Sequence, residues 1–564
     1  MPETVECDVL VMGTGAAGSS AAITAKHNGL DVIIVEKEPV FGGTTVFSGG
    51  WLWVPCSPQA KAAGIEDNLD DVRTYVRQEA GNRYDEERME AFLENIPKMV
   101  NFFENNTSVH FFVGPQLPDY HGDKVGSRPG GRSICANPIN GRELGASLKR
   151  LRAPRRELLV FGLTIASGPD MKHFFAAGRS VRSAAYVFRR LLLSFWDRAY
   201  YGRDLQFGNG AALAARMLKS VDEKKIPVWY SSPAKKMIEK DGKIVGAIVE
   251  RDGKPVEVRA RRGVVIATGG FAGNMERRRD LFPHHPSPTQ HYSLAPETNT
   301  GDGLTLGESV GGVVDSSLLN PAAWMPVSRV PYPDGTTGTF MHLFDRGKPG
   351  VIALKSDGTR FVNESASYED FVPALFRSYQ PGESAYCYLI ADHTAVRRYG
   401  LGFAKPAPIP IGRHIRSGYI LRADTLEELA GKMGMDPAAV TASVRRFNEN
   451  ARQGKDPDFG KGSVPYNRYL GDPDHKPNPC IGPIETAPFY AVKVVPGDIG
   501  TFAGLRTDRY ARVLDQKGAP IEGLYAVGAD NASVFGGAYP GGGSTLGPAV
   551  TFGYIAGQHL AGHA

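Results

Sequence analysis

Three glycines near the start of the chain have the spacing of a loop that binds a pyrophosphate. Gly13, Gly15 and Gly18 follow an apolar run and lead into small residues that predict a helix over 19–28. The first glycine permits a tight turn, the second lets the backbone approach phosphate oxygens, and the third allows close packing of the helix on the strand. Glu36 ends a second apolar run, where a carboxylate can hold ribose hydroxyls. This β-α-β pattern predicts a dinucleotide site; a simple glycine-rich turn is the alternative.

A second group of residues that could do chemistry lies near the other end of the chain. Residues 541–547 are all glycine, serine, threonine or leucine, and Pro548 suits the first position of a predicted helix over 549–559. The free amides of such a loop and the positive end of the helix would face a negative charge. The hydroxyl of Tyr539 and the N–H of Gly543, which no Cβ shields, could together bind a ketone oxygen and stabilise an enolate. A structural tyrosine and a plain connector remain alternatives.

Two sets of elements must position these residues. In the first half, strands with a hairpin turn at 240–243 are predicted at 228–230, 235–239, 244–251 and 255–259, and a buried strand begins at 263. From about 282 to 486 prolines and aromatics are frequent, and nucleotide-binding features resume at Phe489. We therefore predict an α/β fold in which residues 1–285 and 487–564 form a Rossmann-like domain. Residues 286–486 would form an inserted α+β catalytic, or capping, domain across a substrate cleft.

Composition excludes several classes of protein. The 564 residues carry a net charge of only +5 and no lysine or arginine block, so we expect no nucleic-acid partner. No run of about 18 uncharged apolar residues predicts a membrane-spanning helix. Residues 186–201 are aromatic, basic and amphipathic. A surface helix packed on the protein is the favoured interpretation, and contact with a membrane or an oligomer partner stays open.

The cysteines indicate the compartment. The five cysteines are scattered, and none has the CxxC spacing of a zinc site or redox motif. This usage fits a reducing environment, and the first residues run into a strand without the pattern of a signal peptide. We therefore expect a cytoplasmic protein, with association at a membrane surface left open, and no metal site.

Several segments resemble one superfamily. The N-terminal glycines, the Gly-Gly-Thr at 42–44, the Ala-Thr-Gly-Gly at 267–270 and residues 523–530 are similar to the FAD-dependent fumarate reductase/succinate dehydrogenase flavoproteins. Within that group, four segments look like the 3-ketosteroid Δ1-dehydrogenases, and the resemblance covers essentially the whole chain. They are SGGWLWVP at 48–55, PDYH at 118–121, RFVNESASY at 360–368 and YPGGGSTLGP at 539–548. The resemblance implies a two-domain flavoprotein whose Rossmann-like domain binds FAD.

The resemblance also assigns roles to residues. It implies that Tyr368 removes the carbon-2 proton of a 3-ketosteroid, that Tyr120 assists it and relays the proton, and that Tyr539 and Gly543 bind the 3-keto oxygen. The hydride of carbon 1 would pass to flavin N5. An ordinary tyrosine pKa of about 10 makes a poor base at neutral pH, so Tyr368 needs a lowered pKa or a relay. His121, beside Tyr120, is expected to make hydrogen bonds at the surface.

The cofactor is expected to bind without a covalent bond, because no histidine lies in residues 42–50. The electrons must continue to an acceptor that the sequence does not name, of which a quinone is one candidate. The residues expected to bind FAD are Gly13, Gly15, Ala16, Ala17, Gly18, Glu36, Lys37, Gly43, Thr44, Thr45, Ser48, Gly49, Gly50, Ala234, Thr268, Gly269, Gly528, Asp530, Ser544 and Leu546.

Three alternatives stay open. A sister ketosteroid desaturase acting at carbons 4 and 5 would favour a Tyr-Pro-Ser loop, and Gly541 stands in that third position. A fumarate- or urocanate-type C=C reductase needs cationic side chains near 494–501, where the chain reads VVPGDIGT. A non-catalytic flavin-binding or electron-relay protein has no need for three tyrosines around a flavin.

Overall fold

The computed structural model describes residues 3–167, 170, 173–174, 180–380 and 382–563. The first ten strands in these ranges are β1 Glu3–Met12, β2 Val32–Val35, β3 Trp51–Trp53, β4 Phe111–Val113, β5 Ser133–Ala136, β6 Ile139–Asn140, β7 Gln206–Phe207, β8 Val228–Trp229, β9 Ala234–Lys240 and β10 Lys243–Arg251. The others are β11 Lys254–Ile266, β12 Tyr292–Ser293, β13 Ala322–Pro331, β14 Thr337–Met341, β15 Val351–Lys355, β16 Cys387–Ala391, β17 Leu421–Ala423, β18 Phe489–Thr501, β19 Arg512–Leu514 and β20 Pro520–Ala526.

The α-helices of the described residues cluster before residue 224 and after residue 274. They are α1 Ala16–His27, α2 Pro58–Ala62, α3 Leu69–Ala80, α4 Glu86–Asn106, α5 Val181–Tyr201, α6 Asn209–Glu223, α7 Met275–Leu281, α8 Asp302–Glu308, α9 Tyr368–Arg377, α10 His393–Tyr399, α11 Gly412–Arg416, α12 Leu426–Met433, α13 Pro437–Ala451, α14 Pro465–Leu470 and α15 Leu546–Leu560. None of the helices in the described ranges has the length and apolar character needed to cross a membrane.

The first sheet is built around the predicted β-α-β unit. Its strand order is β19-β20-β11-β1-β2-β8, and β1 runs parallel to both β2 and β11. Helix α1 connects β1 to β2 and packs against the C-terminal helix α15, where the Ser20 hydroxyl donates to the Val550 carbonyl at 2.7 Å. The two ends of the chain therefore meet beside one sheet. The open parallel arrangement is that of the nucleotide-binding folds.

The hairpin prediction is confirmed, and one pair of predicted strands is a single strand. Strands β9 and β10 pair antiparallel through a turn in which Asp241 and Gly242 have φ values of 53° and 77°. Both positive values fit the turn type that suits the twist of a hairpin. The predicted strands at 255–259 and from 263 form one strand, β11, because an irregularity in its pairing with β1 lets the ladder continue.

The second sheet consists of strands β12 to β18. Its strand order is β14-β13-β18-β16-β15, and β12 and β17 also pair with β18. Its central strand β18, Phe489–Thr501, pairs with β12, β13, β16 and β17. The segment after residue 486, predicted to belong to the nucleotide-binding part, therefore begins with a strand of the second sheet. Its apolar residues gave no indication of which sheet they join, since pairing partners lie far away in sequence. We propose that the chain returns to the first domain after β18, and the boundary at 285/286 stays a prediction.

Two other sequence predictions shift by a few residues. Helix α1 begins at Ala16 rather than at residue 19, with Gly15 at its N-cap. Helix α15 begins at Leu546, so Pro548 is its third residue rather than its first. Helices α12 and α13 follow one another in the region rich in prolines and aromatics.

Candidate active site

A cavity of about 310 Å³ lies between the two sheets and extends from Glu36 to Tyr368. Of the residues expected to bind the cofactor or act in catalysis, all except Gly18 and Asp530 line it. Gly18 packs behind the loop, against the carbonyl of Gly13. The sequence-based expectations from both chain ends and from the middle thus converge on one cavity.

The glycine loop leaves backbone donors free for an anion. Gly13 has a φ of 112°, and a Cβ there would lie 2.2 Å from the carbonyl oxygen of Ala267, so only glycine fits the turn. Gly15 caps α1 without any side-chain hydrogen bond. The Ala16 N–H donates to the Thr45 hydroxyl at 3.0 Å, which ties the helix start to the second glycine-rich loop. A helix N-terminus of this kind suits a pyrophosphate.

The carboxylate of Glu36 lies at the end of β2, on the cavity wall. It accepts hydrogen bonds from the N–H and the hydroxyl of Thr14, at 3.0 and 2.5 Å. Its neighbour Lys37 pairs with Asp302 at 2.7 Å. These groups form the polar end of the cavity, as a nucleotide ribose requires.

Asp530 holds the backbone rather than facing the cavity. Its buried carboxylate accepts from the Thr268 hydroxyl at 3.0 Å and the Gly269 N–H at 2.9 Å. Burial raises the pKa of Asp530, against the opposing effect of these hydrogen bonds. Asp530 therefore fixes the loop after β11, and Thr268 and Gly269 line the cavity.

Two lining residues were missed by the sequence argument. Asn299 donates to the Gly269 carbonyl at 2.8 Å and to the Thr44 hydroxyl at 3.0 Å, joining two segments expected to bind the cofactor. Arg88 is buried on the cavity wall, donates to the Asn531 side chain at 2.7 Å, and its Nε has no partner within the described structure. No carboxylate among the described residues forms an ion pair with it. An unpaired buried cation fits an anionic part of a dinucleotide.

Three tyrosines from distant parts of the sequence meet at the other end of the cavity. The Tyr120 hydroxyl donates to the Tyr368 hydroxyl at 2.9 Å. The Tyr539 ring stacks on Tyr120 at 5.6 Å between centroids and meets the Tyr368 ring edge-on at 5.3 Å. All three are buried and line the cavity.

Short contacts fix the loop that begins at Tyr539. The Tyr120 N–H donates to the Pro540 carbonyl at 2.9 Å, and Asp119 pairs with Gly541 in an antiparallel bridge. Gly543 has a φ of 101°, and a Cβ there would lie 2.4 Å from the Trp51 carbonyl group. The loop can therefore pass the cavity wall only with glycine at 543.

The Tyr539 hydroxyl stays a hydrogen-bond donor at neutral pH. Burial raises the pKa of Tyr539 above its ordinary value, against the opposing effect of hydrogen bonds with Tyr368, Thr545 and the Gly543 backbone. These contacts place its hydroxyl beside the Gly543 backbone. A protonated phenol next to a backbone N–H can bind one oxygen between them.

Tyr368 is the first residue of helix α9, and the side chain of Ser367 caps this helix. Burial, followed by the phenols of Tyr120 and Tyr539, raises the pKa of Tyr368 well above its ordinary value. The Ser367 hydroxyl also donates to Asp370 at 2.7 Å, so the start of the helix is held on both sides. Tyr368 therefore has a fixed position and is protonated at neutral pH.

His121 lies half-buried between two carboxylates rather than at an open surface. Its ring nitrogens lie 2.8 Å from Glu79 and 2.9 Å from Asp370. Burial alone would lower its pKa, but the bonds to Asp370 and Glu79 outweigh burial and raise the pKa of His121 to about 10. The predicted hydrogen-bonding role is confirmed, and the imidazolium joins the segment of Tyr120 to helix α9.

A fourth tyrosine, missed in the sequence, extends the cluster. The Tyr466 ring, at the start of α14, lies 4.3 Å from the Tyr120 ring. The guanidinium of the buried Arg346 opposes the rise that burial causes in the pKa of Tyr466. Arg346 donates to the carbonyls of Glu364 and Ala366, and its Nη2 has no partner within the described ranges. No motif surrounds Tyr466, so only its contacts identify it.

The wall around the tyrosines is apolar. One core cluster contains Tyr120, Tyr368 and Tyr539, and the apolar lining residues that join or pack against it are Leu294, Met325, Met341, Leu343, Ile499 and Phe502. The lining cations of the described structure lie elsewhere: Lys37 pairs with Asp302, Arg152 with Glu38, and Arg88 bonds to Asn531. The tyrosine end of the cavity thus suits a neutral, apolar molecule with one oxygen.

The parallel sheet, the glycine loop and the cavity match the pattern of an α/β protein that binds a dinucleotide. A family model described as FAD binding domain matches residues 8–546, and the chain belongs to this family. Together with its relatives, this makes the chain a FAD-dependent oxidoreductase.

Three similar proteins cover almost the whole chain. A 4-oxocyclohex-2-ene-1-carboxylate 5-dehydrogenase of Sinomonas cyclohexanicum is 41% identical over 560 residues, 99% of this chain and 94% of that protein. A 3-oxosteroid 1-dehydrogenase of Mycobacterium tuberculosis is 36% identical over 575 residues, 99% of each. The crystal structure of a 3-ketosteroid Δ1-dehydrogenase from Sterolibacterium denitrificans, with 1,4-androstadiene-3,17-dione, matches with a TM-score of 0.90 and 35% identity. It covers 99% of this chain and 100% of that one.

Proposed function

We propose that the protein desaturates the bond between carbons 1 and 2 of 3-ketosteroids. The observation that carries this proposal is the cluster of Tyr120, Tyr368 and Tyr539 beside Gly543 at the apolar end of the cavity. Tyr539 and the Gly543 N–H bind the 3-keto oxygen and stabilise the enolate that forms when carbon 2 loses its proton. Tyr368 accepts that proton, and Tyr120 relays it.

FAD fits the polar end of the same cavity. The free amides at the start of α1 and the loop at Gly43 and Thr45 would hold the pyrophosphate, and Glu36 the ribose. When bound, FAD supplies the acceptor for the hydride of carbon 1. The buried, unpaired Arg88 supports the binding of an anionic cofactor here. A separate electron acceptor, such as a quinone, then reoxidises the protein.

The relay explains how a phenol can act as base. The hydroxyls of Tyr120 and Tyr368 are joined by a hydrogen bond of 2.9 Å, so a proton can pass between the two phenols. Tyr466 lies beyond Tyr120, and its phenol can take the next step for a proton, while the charge of Arg346 favours the deprotonated form of Tyr466. His121, tied to Glu79 and Asp370, fixes the backbone of Tyr120 relative to helix α9.

A second candidate substrate is 4-oxocyclohex-2-ene-1-carboxylate, because the Sinomonas cyclohexanicum 4-oxocyclohex-2-ene-1-carboxylate 5-dehydrogenase is 41% identical to this chain. The same clamp and base would serve a cyclohexanone ring. A carboxylate, however, needs a free cation, and the tyrosine end of the described cavity offers apolar side chains such as Met325 and Ile499. Desolvating an unpaired carboxylate there is costly, whereas the additional rings of a steroid gain from burial.

The decisive experiment compares the two substrates. We expect anaerobic mixing with androst-4-ene-3,17-dione to bleach the visible flavin band and to yield the 1,2-dehydrogenated product. Each buried methylene contributes about 0.8 kcal/mol, so kcat/KM for the steroid should exceed that for 4-oxocyclohex-2-ene-1-carboxylate by about 100-fold or more. If product forms only from the single-ring carboxylate, that compound rather than the steroid is the substrate. Desaturation at carbons 4 and 5 of a saturated 3-ketosteroid would support the sister activity instead.

The rate should rise with pH. Burial and the neighbouring phenols raise the pKa of Tyr368 well above its ordinary value, and only its deprotonated form is a base. Below that pKa the deprotonated fraction grows about tenfold with each pH unit, so log kcat/KM should climb with a slope approaching one from about pH 6 to pH 9. Initial rates with a soluble artificial acceptor measure this profile. A flat profile over this range would contradict a tyrosine base.

A further inference from the structure

Helix α5, Val181–Tyr201, buries its polar face and exposes its apolar face, the reverse of a usual surface helix. Its buried positions are Ser183, Arg190, Ser194 and Asp197, which repeat with helical spacing. Its exposed positions include the large apolar residues Phe188, Leu192, Phe195, Trp196 and Tyr200, of which Phe195 is 67% and Tyr200 77% exposed. A helix in water normally buries its apolar face. The surface helix predicted at 186–201 thus exists, and the face that it packs on the protein is the polar one.

Specific bonds hold the polar face inward. Arg190 donates to the Thr164 carbonyl at 3.2 Å and lies 3.5 Å from Asp170. Asp197 pairs with Arg142 and accepts from the Leu205 N–H at 3.4 Å. These partners fix the rotation of the helix, so it cannot turn its apolar face toward the protein without breaking buried ion pairs. Among the described residues, nothing covers the apolar face.

We propose that the exposed face of α5 binds the surface of an anionic lipid bilayer. The helix carries Arg182, Arg189 and Arg198 at exposed positions, and its one acidic residue, Asp197, is buried. Cationic side chains around an apolar face match lipid acyl chains bordered by anionic headgroups. Trp196, Tyr200 and Tyr201 are of the types that lie at the headgroup level.

A second copy of this chain fits the face less well. In a symmetric dimer the same patch meets itself, so the exposed arginines of one helix would approach those of the other. The cores of protein interfaces are also depleted in charge. A helix of 21 residues, about 30 Å long, offers a strip suited to lying in the plane of a membrane surface.

The helix is connected to the wall of the active-site cavity. Arg190 bonds to Thr164, and residues 165 and 167 bond to Asn209: the Asn209 amide donates to the Ile165 carbonyl at 2.9 Å, and the Ser167 N–H donates to Asn209 at 2.9 Å. The backbone of Asn209 packs against Gly50, which lines the cavity. Docking of α5 would therefore bring this side of the cavity close to the lipid surface, where apolar molecules accumulate.

Vesicle binding by the FAD-loaded protein tests the proposal. We expect co-sedimentation with vesicles of phosphatidylcholine and phosphatidylglycerol, and much weaker binding to phosphatidylcholine alone. Phe195→Glu should reduce partitioning into the vesicles about tenfold or more, because it replaces an apolar side chain that would enter the lipid by a charged one. Arg182→Gln and Arg189→Gln should each reduce binding to the anionic vesicles about fivefold. Val125→Glu is the matched control, because Val125 is 69% exposed and lies outside the helix.

Flavin absorbance and thermal melting show whether each variant is folded. Emission from Trp196, taken as the difference between the protein and its Trp196→Phe variant, should shift to the blue on vesicle addition. The proposal is overturned if the folded protein fails to bind anionic vesicles at low salt, or if Val125→Glu weakens binding as much as Phe195→Glu. A concentration-dependent dimer that Phe195→Glu abolishes, without vesicle binding, would assign the face to a second copy.

Discussion

Replacement of Tyr368 by phenylalanine should reduce the rate of flavin bleaching by the steroid by about 100- to 10,000-fold, the range that a general base contributes. The substitution removes one hydroxyl, which accepts the hydrogen bond from Tyr120, and leaves the packed ring in place. Steroid affinity should change little, because the keto oxygen is held by Tyr539 and Gly543. Anaerobic stopped-flow absorbance measures the rate, and titration of the flavin spectrum measures affinity.

Tyr379→Phe is the matched control. Tyr379 lies just after helix α9, which begins with Tyr368. The substitution removes the hydrogen bond of 2.6 Å from the Tyr379 hydroxyl to the Tyr386 carbonyl, but Tyr379 does not line the cavity. We expect near-normal bleaching from it. Tyr466→Phe should fall between the two, since Tyr466 contacts Tyr120 rather than the substrate. A Tyr368→Phe protein that bleaches at nearly the normal rate would mean that another group removes the proton.

Local patterns in the sequence were sufficient for the nucleotide half of the site. Gly13, Gly15 and Glu36 belong to one β-α-β unit, so their spacing along the chain determines their spacing in space. The hairpin at Asp241 and Gly242 was equally local. For the tyrosines, the motifs around 120, 368 and 539 indicated their importance, but their mutual distances depend on loops and sheets that no local pattern encodes.

Residues whose role comes only from tertiary contact were not predictable. Arg88 and Tyr466 stand in ordinary helical sequence. Arg88 lines the cavity, and Tyr466 packs on Tyr120, only because segments remote in sequence meet there. The sheet that strand β18 joins was not predictable for a related reason, since its partners include Tyr292, 205 residues before Gly497. Periodicity showed that residues 186–201 are amphipathic, but it cannot tell which face is buried. That depended on the partners of Arg190 and Asp197.

Replacement of Tyr539 by phenylalanine should reduce turnover of the steroid by about 100- to 1,000-fold, the cost of removing one donor from an oxyanion hole. Burial raises the pKa of the Tyr539 phenol, so the hydroxyl is protonated and able to donate at every pH at which the protein is assayed. The negative charge on the keto oxygen grows as carbon 2 loses its proton. The loss should therefore appear mainly in kcat.

The two tyrosine variants should differ in a way that separates clamp from base. Tyr539→Phe keeps the Tyr120–Tyr368 hydrogen bond, so its residual activity should still rise with pH, whereas that of Tyr368→Phe should lose this dependence. Tyr75→Phe controls for the loop: the Tyr75 hydroxyl donates to the Pro540 carbonyl at 2.7 Å, beside Tyr539 but outside the cavity. If Tyr75→Phe costs as much as Tyr539→Phe, the hydroxyl of Tyr539 acts through the shape of the loop and the ketone is bound elsewhere. A large loss confined to Tyr539→Phe, with steroid affinity little changed, would assign stabilisation of the enolate to that single hydroxyl.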